Sequence, residues 1–218
     1  MTMLLEANPT FETVADLLHQ LGDIPPERVL TKPPLGTATE QDALDLDDHQ
    51  DRLCELVDGV LVEKAMSSSR EASLAVFITT YLVIFAQPRK LGRVLGADGM
   101  LRLRLGLVRI PDVSFIARSS FPDGKLPKEA IWRIAPDLAV EVLSKSNTRT
   151  EMARKRQEYF TAGTRLVWEF DAKAQTVDVY TAPDKLTTLN KDQSLDGGAV
   201  LPGLTISLTE LFAQLDDL

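Results

Sequence analysis

Cysteine and histidine are scarce in this chain of 218 residues, which has one cysteine and two histidines. Cys54 has no second thiol with which to form an internal disulfide or to begin a zinc ribbon. His19 and His49 both lie within the first 50 residues, so no His/Cys ligand set can form in the rest of the chain. These absences argue against a disulfide-stabilised secreted protein, a thiol redox enzyme and a zinc site.

Long hydrophobic runs are also lacking. No apolar run approaches the roughly 20 residues that a membrane-spanning helix needs. The first ten residues, MTMLLEANPT, have neither the basic start nor the apolar core of a signal peptide. Hydrophobic residues make up 44% and charged residues 26% of the chain, which is ordinary for a globular protein. We therefore expect a cytoplasmic protein with no membrane partner.

Basic residues are fewer than acidic residues, and the formal net charge of the chain is −8. The charges are nevertheless unevenly distributed. Residues 37–63 contain nine acidic residues and one basic residue, a local balance of −8. Residues 101–170 contain thirteen basic and eight acidic residues, a local balance of +5. A basic segment within an acidic chain suits the approach of a phosphate group, which makes this segment a candidate nucleic-acid site.

Two short apolar stretches in the basic segment each carry a carboxylate where the interior of a strand is normally apolar. In RIPDVSFI, residues 109–116, the two-residue alternation of a strand places Asp112 among core residues. In PDLAVEVLSKSNT, residues 136–148, Glu141 has apolar neighbours on both sides. Burying an ionised carboxylate costs several kcal/mol unless a cation or strong donors compensate. The two carboxylates together therefore indicate one shared positive partner.

That partner has two interpretations. Hard oxygen ligands without a His/Cys set favour Mg²⁺ or Mn²⁺ over zinc, and such a site suits phosphoryl transfer to water. Alternatively, each carboxylate is paired with an arginine, and Arg102, Arg104 and Arg109 are available. Pro111 donates no ladder hydrogen bond, so it predicts an edge, a bulge or a bend beside Asp112.

The rest of the pattern predicts one α/β (α+β) domain at residues 38–218, preceded by an arm of short helices at residues 1–37. Asp58-Gly59 joins two alternating runs and predicts a hairpin. The next segment, SSSREASLAVFITTYLVIFAQ, is apolar almost all round and predicts a helix buried on most of its surface, although its β-branched residues leave a strand open.

The long loop ARSSFPDGKLPKEAIWRIAP is either a functional lid or a plain surface crossing.

A further helix is expected between Thr148, which has capping-box spacing to Glu151, and Gly163. It is followed by a buried strand, RLVWEFD, by two antiparallel edge strands, TVDVYTA and KLTTLN, and by a closing helix, SLTELFAQL. Lys155 lies one turn after Glu151 on the predicted helix, and Tyr159 follows on the same face. A helix that leaves the Glu141 strand can turn this row over the carboxylates. Glu151 and Lys155 can equally form an ordinary exposed pair.

At this point the residues resemble the PD-(D/E)XK nuclease superfamily, through Pro111-Asp112 and the later run Glu141 to Ser144. More narrowly, the ordered blocks ELVDG, RIPDV, PDLAVEVLSKSN, the Lys155 and Tyr159 pair, and VWEFD are similar to a restriction endonuclease domain common in bacteria. The resemblance covers roughly residues 38–212. It implies a restriction-endonuclease-like fold with a central mixed β-sheet flanked by helices. It also implies that Asp112 and Glu141 are the ligands of a divalent metal ion.

The chain departs from the pattern of that superfamily at several positions. The superfamily lysine stands two residues after the acidic residue, where this chain has Leu143, so the resemblance implies that Lys155 replaces it from the next helix. Glu151 stands where relatives often have aspartate, and Glu71 lies near a position where relatives carry histidine. The sequence leaves open whether Glu55, Glu71 or Glu151 joins the site.

Our first functional hypothesis is a Mg²⁺- or Mn²⁺-dependent endonuclease that hydrolyses DNA phosphodiester bonds, with Asp112 and Glu141 holding the metal ion and Lys155 positioning water or phosphate. Many nucleases of this fold dimerise to cut two strands, and the edge strands near the C-terminus offer a surface for a homodimer. Three arginines are candidate contacts to the DNA backbone: Arg149, Arg154 and Arg156.

Two other classes of function remain open. The second hypothesis is a catalytically inactive nuclease-fold module that acts in protein interaction through the acidic segment at residues 37–63. The third is a phosphoesterase that uses the same metal pair on a small substrate.

Overall fold

The computed structural model describes residues 11–50, 52–121 and 124–216. The helices are α1 (Val14–Gln20), α2 (Glu40–Gln50), α3 (Ser69–Ala86), α4 (Arg149–Ala162) and α5 (Leu208–Ala213), with 3₁₀ turns at Pro26–Arg28 and Arg118–Ser120. The strands are β1 (Cys54–Val57), β2 (Val60–Glu63), β3 (Gly92–Leu95), β4 (Leu101–Arg104), β5 (Leu107–Arg109), β6 (Val113–Ala117), β7 (Leu138–Val142), β8 (Leu166–Asp171), β9 (Thr176–Ala182), β10 (Lys185–Asn190), β11 (Ser194–Asp196) and β12 (Thr205–Ser207).

The strands form two large sheets and one small ribbon. The larger sheet has the order β10-β9-β8-β7-β6-β3, and the second has the order β2-β1-β5-β4. Strands β7 and β8 run parallel, while the other neighbours in the larger sheet are antiparallel. Helices lie on both faces of this sheet. The predicted fold class, a central mixed sheet flanked by helices, is confirmed.

Alternation along β7 decides which side chains meet which helix. Val140 belongs to the core cluster that α3 covers, together with Trp168 of β8. Ala139 packs on the opposite face, against Tyr159 of α4. Because side chains alternate along a strand, Glu141 points to the same face as Ala139. The carboxylate of Glu141 is thereby directed toward α4.

Helix α4 begins and ends where the sequence predicted. The hydroxyl of Thr148 accepts a hydrogen bond from the Glu151 amide at 2.9 Å, and Gly163 ends the helix in the left-handed conformation with φ 107°. The expected capping box is only half formed, because the Glu151 carboxylate contacts Arg28 of the N-terminal arm. The arm is thus attached to the first turn of α4.

Pro111 lies where the chain crosses from one sheet to the other, outside the hydrogen-bonded strands. The chain leaves the four-stranded sheet after Arg109 and enters the six-stranded sheet at Val113. The three residues between the strands, Ile110, Pro111 and Asp112, lie outside both of them and are buried. The bend predicted beside Asp112 is confirmed, and it places the Asp112 carboxylate where the two sheets meet.

The prediction that α3 is buried on most of its surface is wrong. A single stripe at four-residue spacing is buried, which comprises Leu74, Ile78, Leu82 and Ala86. On other sides of the helix, Val76 is 62% and Ile84 is 67% exposed. Among the described helices, α3 is long and apolar enough to cross a membrane by length and composition alone, which differs from the expectation that no apolar run reaches this length. In this structure its buried stripe packs on the six-stranded sheet.

The described part of the long loop before β7 is attached to the start of β4. The Trp132 amide donates to the Met100 carbonyl at 3.0 Å, and the Arg102 amide donates to the Trp132 carbonyl at 2.8 Å. The rings of Phe121 and Trp132 also pack edge to face. This part of the loop is a surface crossing fixed to the sheet, while residues 122 and 123 lie outside the described residues.

The hairpin turn at Asp58-Gly59 supports the N-terminal arm. Both residues have positive φ, 50° and 78°, as the predicted two-residue turn requires. A Cβ added to Gly59 would lie 2.4 Å from the carbonyl oxygen of Gly36 in the arm. The turn and the arm therefore approach too closely for any side chain at this position.

We predict that Gly59→Ala destabilises the protein more than Gly106→Ala. Both glycines have similar positive φ, 78° and 75°, so both variants suffer the left-handed strain of about 1–2 kcal/mol. Only Gly59 also has backbone within contact distance, since nothing lies within 4 Å of the added Cβ at Gly106. Urea unfolding of the two variants measures the difference. Equal losses would contradict the close contact with the arm.

Candidate functional site

Three residues singled out by the sequence, Asp112, Glu141 and Lys155, line one small cavity. Asp112 comes from the crossing between the sheets, Glu141 from β7 and Lys155 from α4. The cavity volume is about 10 Å³, which is room for about one water molecule or ion. The side chains of Ser144 and Asn147 lie beside the same space. The structure thus brings all three predicted residues together.

The Asp112 carboxylate is held by two donors. Its Oδ2 accepts a hydrogen bond from the Val142 amide at 2.7 Å. Its Oδ1 lies 2.9 Å from the ammonium nitrogen of Lys64, at the end of the β1–β2 hairpin. The first contact fixes the orientation of the carboxylate against β7, and the second supplies a positive charge.

The arginines considered as partners of Asp112 bind other carboxylates. Arg102 pairs with Glu40 and Arg104 pairs with Asp58. Arg109 is buried and lies 2.6 Å from Glu55. The expectation of an arginine partner is therefore wrong, since the cation that contacts Asp112 is Lys64.

Lys155 is the centre of a buried charge network. Its Nζ lies 3.1 Å from Glu55 Oε1 and 3.2 Å from Glu141 Oε1, and the three side chains are at most 6% exposed. The hydroxyl of Tyr159 donates to the same Glu141 oxygen at 2.7 Å. Of the row expected on one face of α4, Lys155 and Tyr159 turn toward β7, whereas Glu151 contacts Arg28 of the arm. Lys155 is buried, so it does not form an exposed pair with Glu151.

Glu55 is the strongly ionised member of this network. Burial by itself would raise the pKa of Glu55, but the charges of Lys155 and Arg109 outweigh burial and lower that pKa to about 2. The Ile110 amide adds a hydrogen bond at 3.1 Å. Glu55 therefore carries its charge throughout the physiological pH range.

Glu141 is the weakly ionised member. Burial raises the pKa of Glu141 to about 7, against the attraction of Lys155 and with added repulsion from Asp112 and Glu55. For Lys155, burial by itself would lower the pKa, but the charges of Glu141 and Glu55 hold it above its usual value. At neutral pH the ammonium group stays protonated, while Glu141 exchanges a proton.

The other two glutamates left open by the sequence have different roles. The Glu151 carboxylate makes two contacts with the Arg28 guanidinium, at 2.8 and 3.1 Å, and accepts a hydrogen bond from Asn147. Glu71 caps α3, where its carboxylate accepts a bond from the Ser68 amide at 2.6 Å. Of the three open candidates, Glu55 joins the network, Glu151 supports the helix next to it, and Glu71 lies in a cap.

Sequence reasoning missed Lys64 and Arg28 and left Glu55 undecided. Glu55 carries the same signal that identified Asp112 and Glu141, a lone carboxylate in an apolar strand, CELV. Lys64 and Arg28 carry no local signal, because each reaches its carboxylate only through tertiary packing. The sequence therefore indicated that the buried carboxylates need positive partners, but it did not indicate which residues supply them.

Two of the arginines expected to meet DNA are already engaged within the protein. Arg154 pairs with Glu158 at 2.8 Å. Arg156 pairs with Glu169 at 2.7 Å and lies over the ring of Tyr180. Arg149, at the start of α4, is exposed.

In the part of the chain that the structure describes, no three Asp, Glu, His or Cys side chains form a group that could hold a metal ion. Asp112 and Glu141 are the two carboxylates that face the ion-sized cavity with side-chain oxygens nearby on Ser144 and Asn147. One or two carboxylates are the usual protein contribution to a Mg²⁺ site, where water and phosphate supply the remaining ligands. The donor set therefore fits Mg²⁺ or Mn²⁺.

We predict that Arg28→Ala lowers the free energy of unfolding by about 3–5 kcal/mol, because it leaves the buried Glu151 carboxylate without its cation. Arg52→Ala is the matched control, since Arg52 also pairs with a glutamate, Glu63, but both side chains are more than a third exposed. The control is expected to cost less than about 1 kcal/mol. Denaturant unfolding measures both values, and similar losses would contradict a structural role for the arm.

The raised pKa of Glu141 predicts that the metal-free protein loses stability as the pH rises from 4.5 to about 7. The native state binds this proton more tightly than the unfolded chain, so ionisation favours unfolding. Glu141→Gln removes the titration. With a chelator present, the free energy of unfolding of Glu141→Gln relative to the wild type should rise between pH 4.5 and about 7, by at most about 3 kcal/mol. Urea unfolding at the two ends of the window tests this, and a constant difference would contradict it.

Comparison with solved structures supports the fold. The chain is similar to the crystal structure of a putative nuclease belonging to DUF820 from Anabaena variabilis ATCC 29413, with a TM-score of 0.68 and 21% identity. The match covers 76% of this chain and 93% of that chain. No curated protein matches the chain significantly. The model of the Uma2 family, described as "Putative restriction endonuclease", matches residues 40–209, which is more than half of the chain, and the protein therefore belongs to this family.

Proposed function

We propose that this protein is a Mg²⁺- or Mn²⁺-dependent endonuclease that hydrolyses DNA phosphodiester bonds. The observation that carries the proposal is the convergence of Asp112, Glu141 and Lys155 on a cavity of ionic size. Membership of the Uma2 family supports it, because the family is described by that class of activity. The basic excess of residues 101–170 gives weaker support, because Arg102, Arg104 and Arg109 of that segment pair with carboxylates of residues 37–63.

Asp112 and Glu141 would hold the metal ion. Both Lys155 and Tyr159 bind Oε1 of Glu141. Among the described residues, Oε2 has the longer contact of 3.5 Å to Lys155 and keeps capacity for a cation. A bound Mg²⁺ or Mn²⁺ polarises phosphate oxygens and lowers the pKa of a coordinated water. It would also stabilise the ionised form of Glu141, whose pKa is raised by burial and, to a smaller extent, by repulsion from Asp112 and Glu55.

Lys155 serves as a fixed positive charge in this proposal. Its ammonium group stays protonated because Glu55 and Glu141 raise its pKa, so it does not act as a base at neutral pH. During hydrolysis, water forms a new bond to phosphorus and releases a proton to solvent, while the bond from phosphorus to the leaving sugar oxygen breaks and that oxygen takes up a proton from solvent. Lys155 orients water or phosphate beside Glu141 and offsets the negative charge that develops.

The inactive nuclease-fold module remains the alternative, and one contact favours it. Lys64 Nζ lies 2.9 Å from Asp112 Oδ1, so the protein already supplies a cation to one of the two proposed ligands. A metal ion at this carboxylate has to share it with Lys64 or displace the ammonium group. The acidic helix α2 would then be the surface for a protein partner.

We predict that the wild type binds Mn²⁺ saturably and that Asp112→Asn and Glu141→Gln lose this binding. Titration calorimetry measures it without any assumption about the substrate. Asp178→Asn, a carboxylate on β9 outside the site, is the control and should bind as the wild type does. Cleavage of plasmid DNA by the two site variants should fall by roughly a hundredfold or more.

Two results would contradict the proposed site. Undiminished Mn²⁺ binding by Asp112→Asn and Glu141→Gln would place the metal elsewhere. The absence of both saturable binding and cleavage in the wild type would favour the interaction module.

A further inference from the structure

A groove of about 580 Å³ lies beside the candidate site, along α3. Much of its wall is apolar, with Leu53, Met66, Ala72, Val76 and Ala97 among the lining residues. Met66 is 88% and Val76 is 62% exposed, so these apolar side chains face solvent. Its volume falls in the range of about 300–1,000 Å³ that is typical of small-molecule sites. An exposed apolar groove of this kind commonly marks a binding surface.

The groove is continuous with the ion-sized cavity. Lys64, Ala65, Ser67 and Asp112 line both spaces. At the junction, Lys64 Nζ lies 2.9 Å from Asp112 Oδ1 and donates to the carbonyl of Ala97 at 2.8 Å. The inner cavity holds about one ion or water, so a substrate phosphate that meets Asp112 from this side places its neighbouring groups in the groove.

We propose that the groove binds an unpaired nucleobase next to the scissile phosphate, so that the protein acts on single-stranded or locally unpaired DNA. This inference rests on the proposed nuclease function and names its substrate class. The faces of a nucleobase are covered by neighbouring bases in a duplex and become available only when the base leaves the stack. Apolar side chains such as Met66, Leu53 and Val76 can pack on those faces, and Lys64 lies at the end where the phosphate is placed.

Three of the polar residues that line the groove are already engaged within the protein. The hydroxyls of Thr79 and Thr80 donate to the carbonyls of Ala75 and Val76 within α3, at 2.8 Å each, so they are not free to donate to a base edge. These two hydroxyls therefore supply no donor that would distinguish among the four bases. Glu63 also lines the groove, but its charge is compensated by Arg52 at 2.7 Å.

The helix itself offers a matched pair of variants. Val76 lines the groove, whereas Ile84 lies two turns further along α3 and is not among the groove residues. Their exposed fractions are similar, 62% and 67%, so Val76→Gln and Ile84→Gln should affect folding alike. Glutamine is neutral, so neither variant adds charge repulsion with DNA.

The experiment compares one labelled DNA strand in three forms: single-stranded, in a duplex with one unpaired nucleotide, and fully paired. In Mn²⁺, the wild type should cleave the two unpaired forms about tenfold faster than the paired form. Val76→Gln should remove most of this preference, and Ile84→Gln should retain it. Equal rates on all three forms with the wild type would overturn the inference while leaving the proposed nuclease function intact.

A binding measurement separates the groove from catalysis. An oligonucleotide with 2-aminopurine at the unpaired position is titrated with protein in Ca²⁺, and its fluorescence reports the environment of that base. A saturable change that weakens about tenfold in Val76→Gln but not in Ile84→Gln supports the groove, even where no cleavage is seen and the nuclease function fails. No change with the wild type overturns the inference. A wild-type dimer that Val76→Gln dissociates in sedimentation also overturns it, because a second copy then occupies the groove.

Discussion

One ammonium group, that of Lys155, lies between two buried carboxylates, and the properties of the site follow from how its charge is divided. Glu55 has additional support from Arg109 and a backbone amide, so it remains ionised. Glu141 accepts a hydrogen bond from the Tyr159 hydroxyl, and burial raises its pKa. The contacts of Lys155 with Glu55 and Glu141 join α4 to the four-stranded sheet and to the six-stranded sheet. The packing of three elements and the protonation of the site therefore depend on a single side chain.

Stability alone does not account for this cluster. Buried ion pairs are often no more stabilising than well-packed apolar residues of similar size, while removal of one partner is costly. Four acidic and four basic side chains nevertheless gather around the small cavity and the first turns of α4: Glu55, Asp112, Glu141 and Glu151 with Arg28, Lys64, Arg109 and Lys155. Their arrangement leaves one carboxylate close to its titration point at neutral pH, which is a property suited to metal or proton exchange.

The sequence predicted those parts of the fold that depend on local patterns. The Asp58-Gly59 hairpin, α4 between Thr148 and Gly163 and the bend at Pro111 all follow from backbone preferences of a few residues. Burial of α3 was overestimated, because an apolar composition does not reveal which face finds a partner. Asp112, Glu141 and Lys155 were brought together as expected, whereas Lys64 and Arg28 were missed. The position of a cation in a network is decided by tertiary packing, which leaves no periodic mark in the sequence.

The contact between Arg28 and Glu151 joins residues 123 positions apart in the chain. Such a contact can form only when both parts of the chain are present, and it requires closure of a long loop. During synthesis, the arm and strands β1 to β5 leave the ribosome well before α4 exists, so Arg28, Glu55 and Arg109 have no helix against which to assemble. The charge network can be completed only after the residues of α4 have been made. Any nuclease activity of this site would therefore be withheld from the growing chain until its domain is nearly complete.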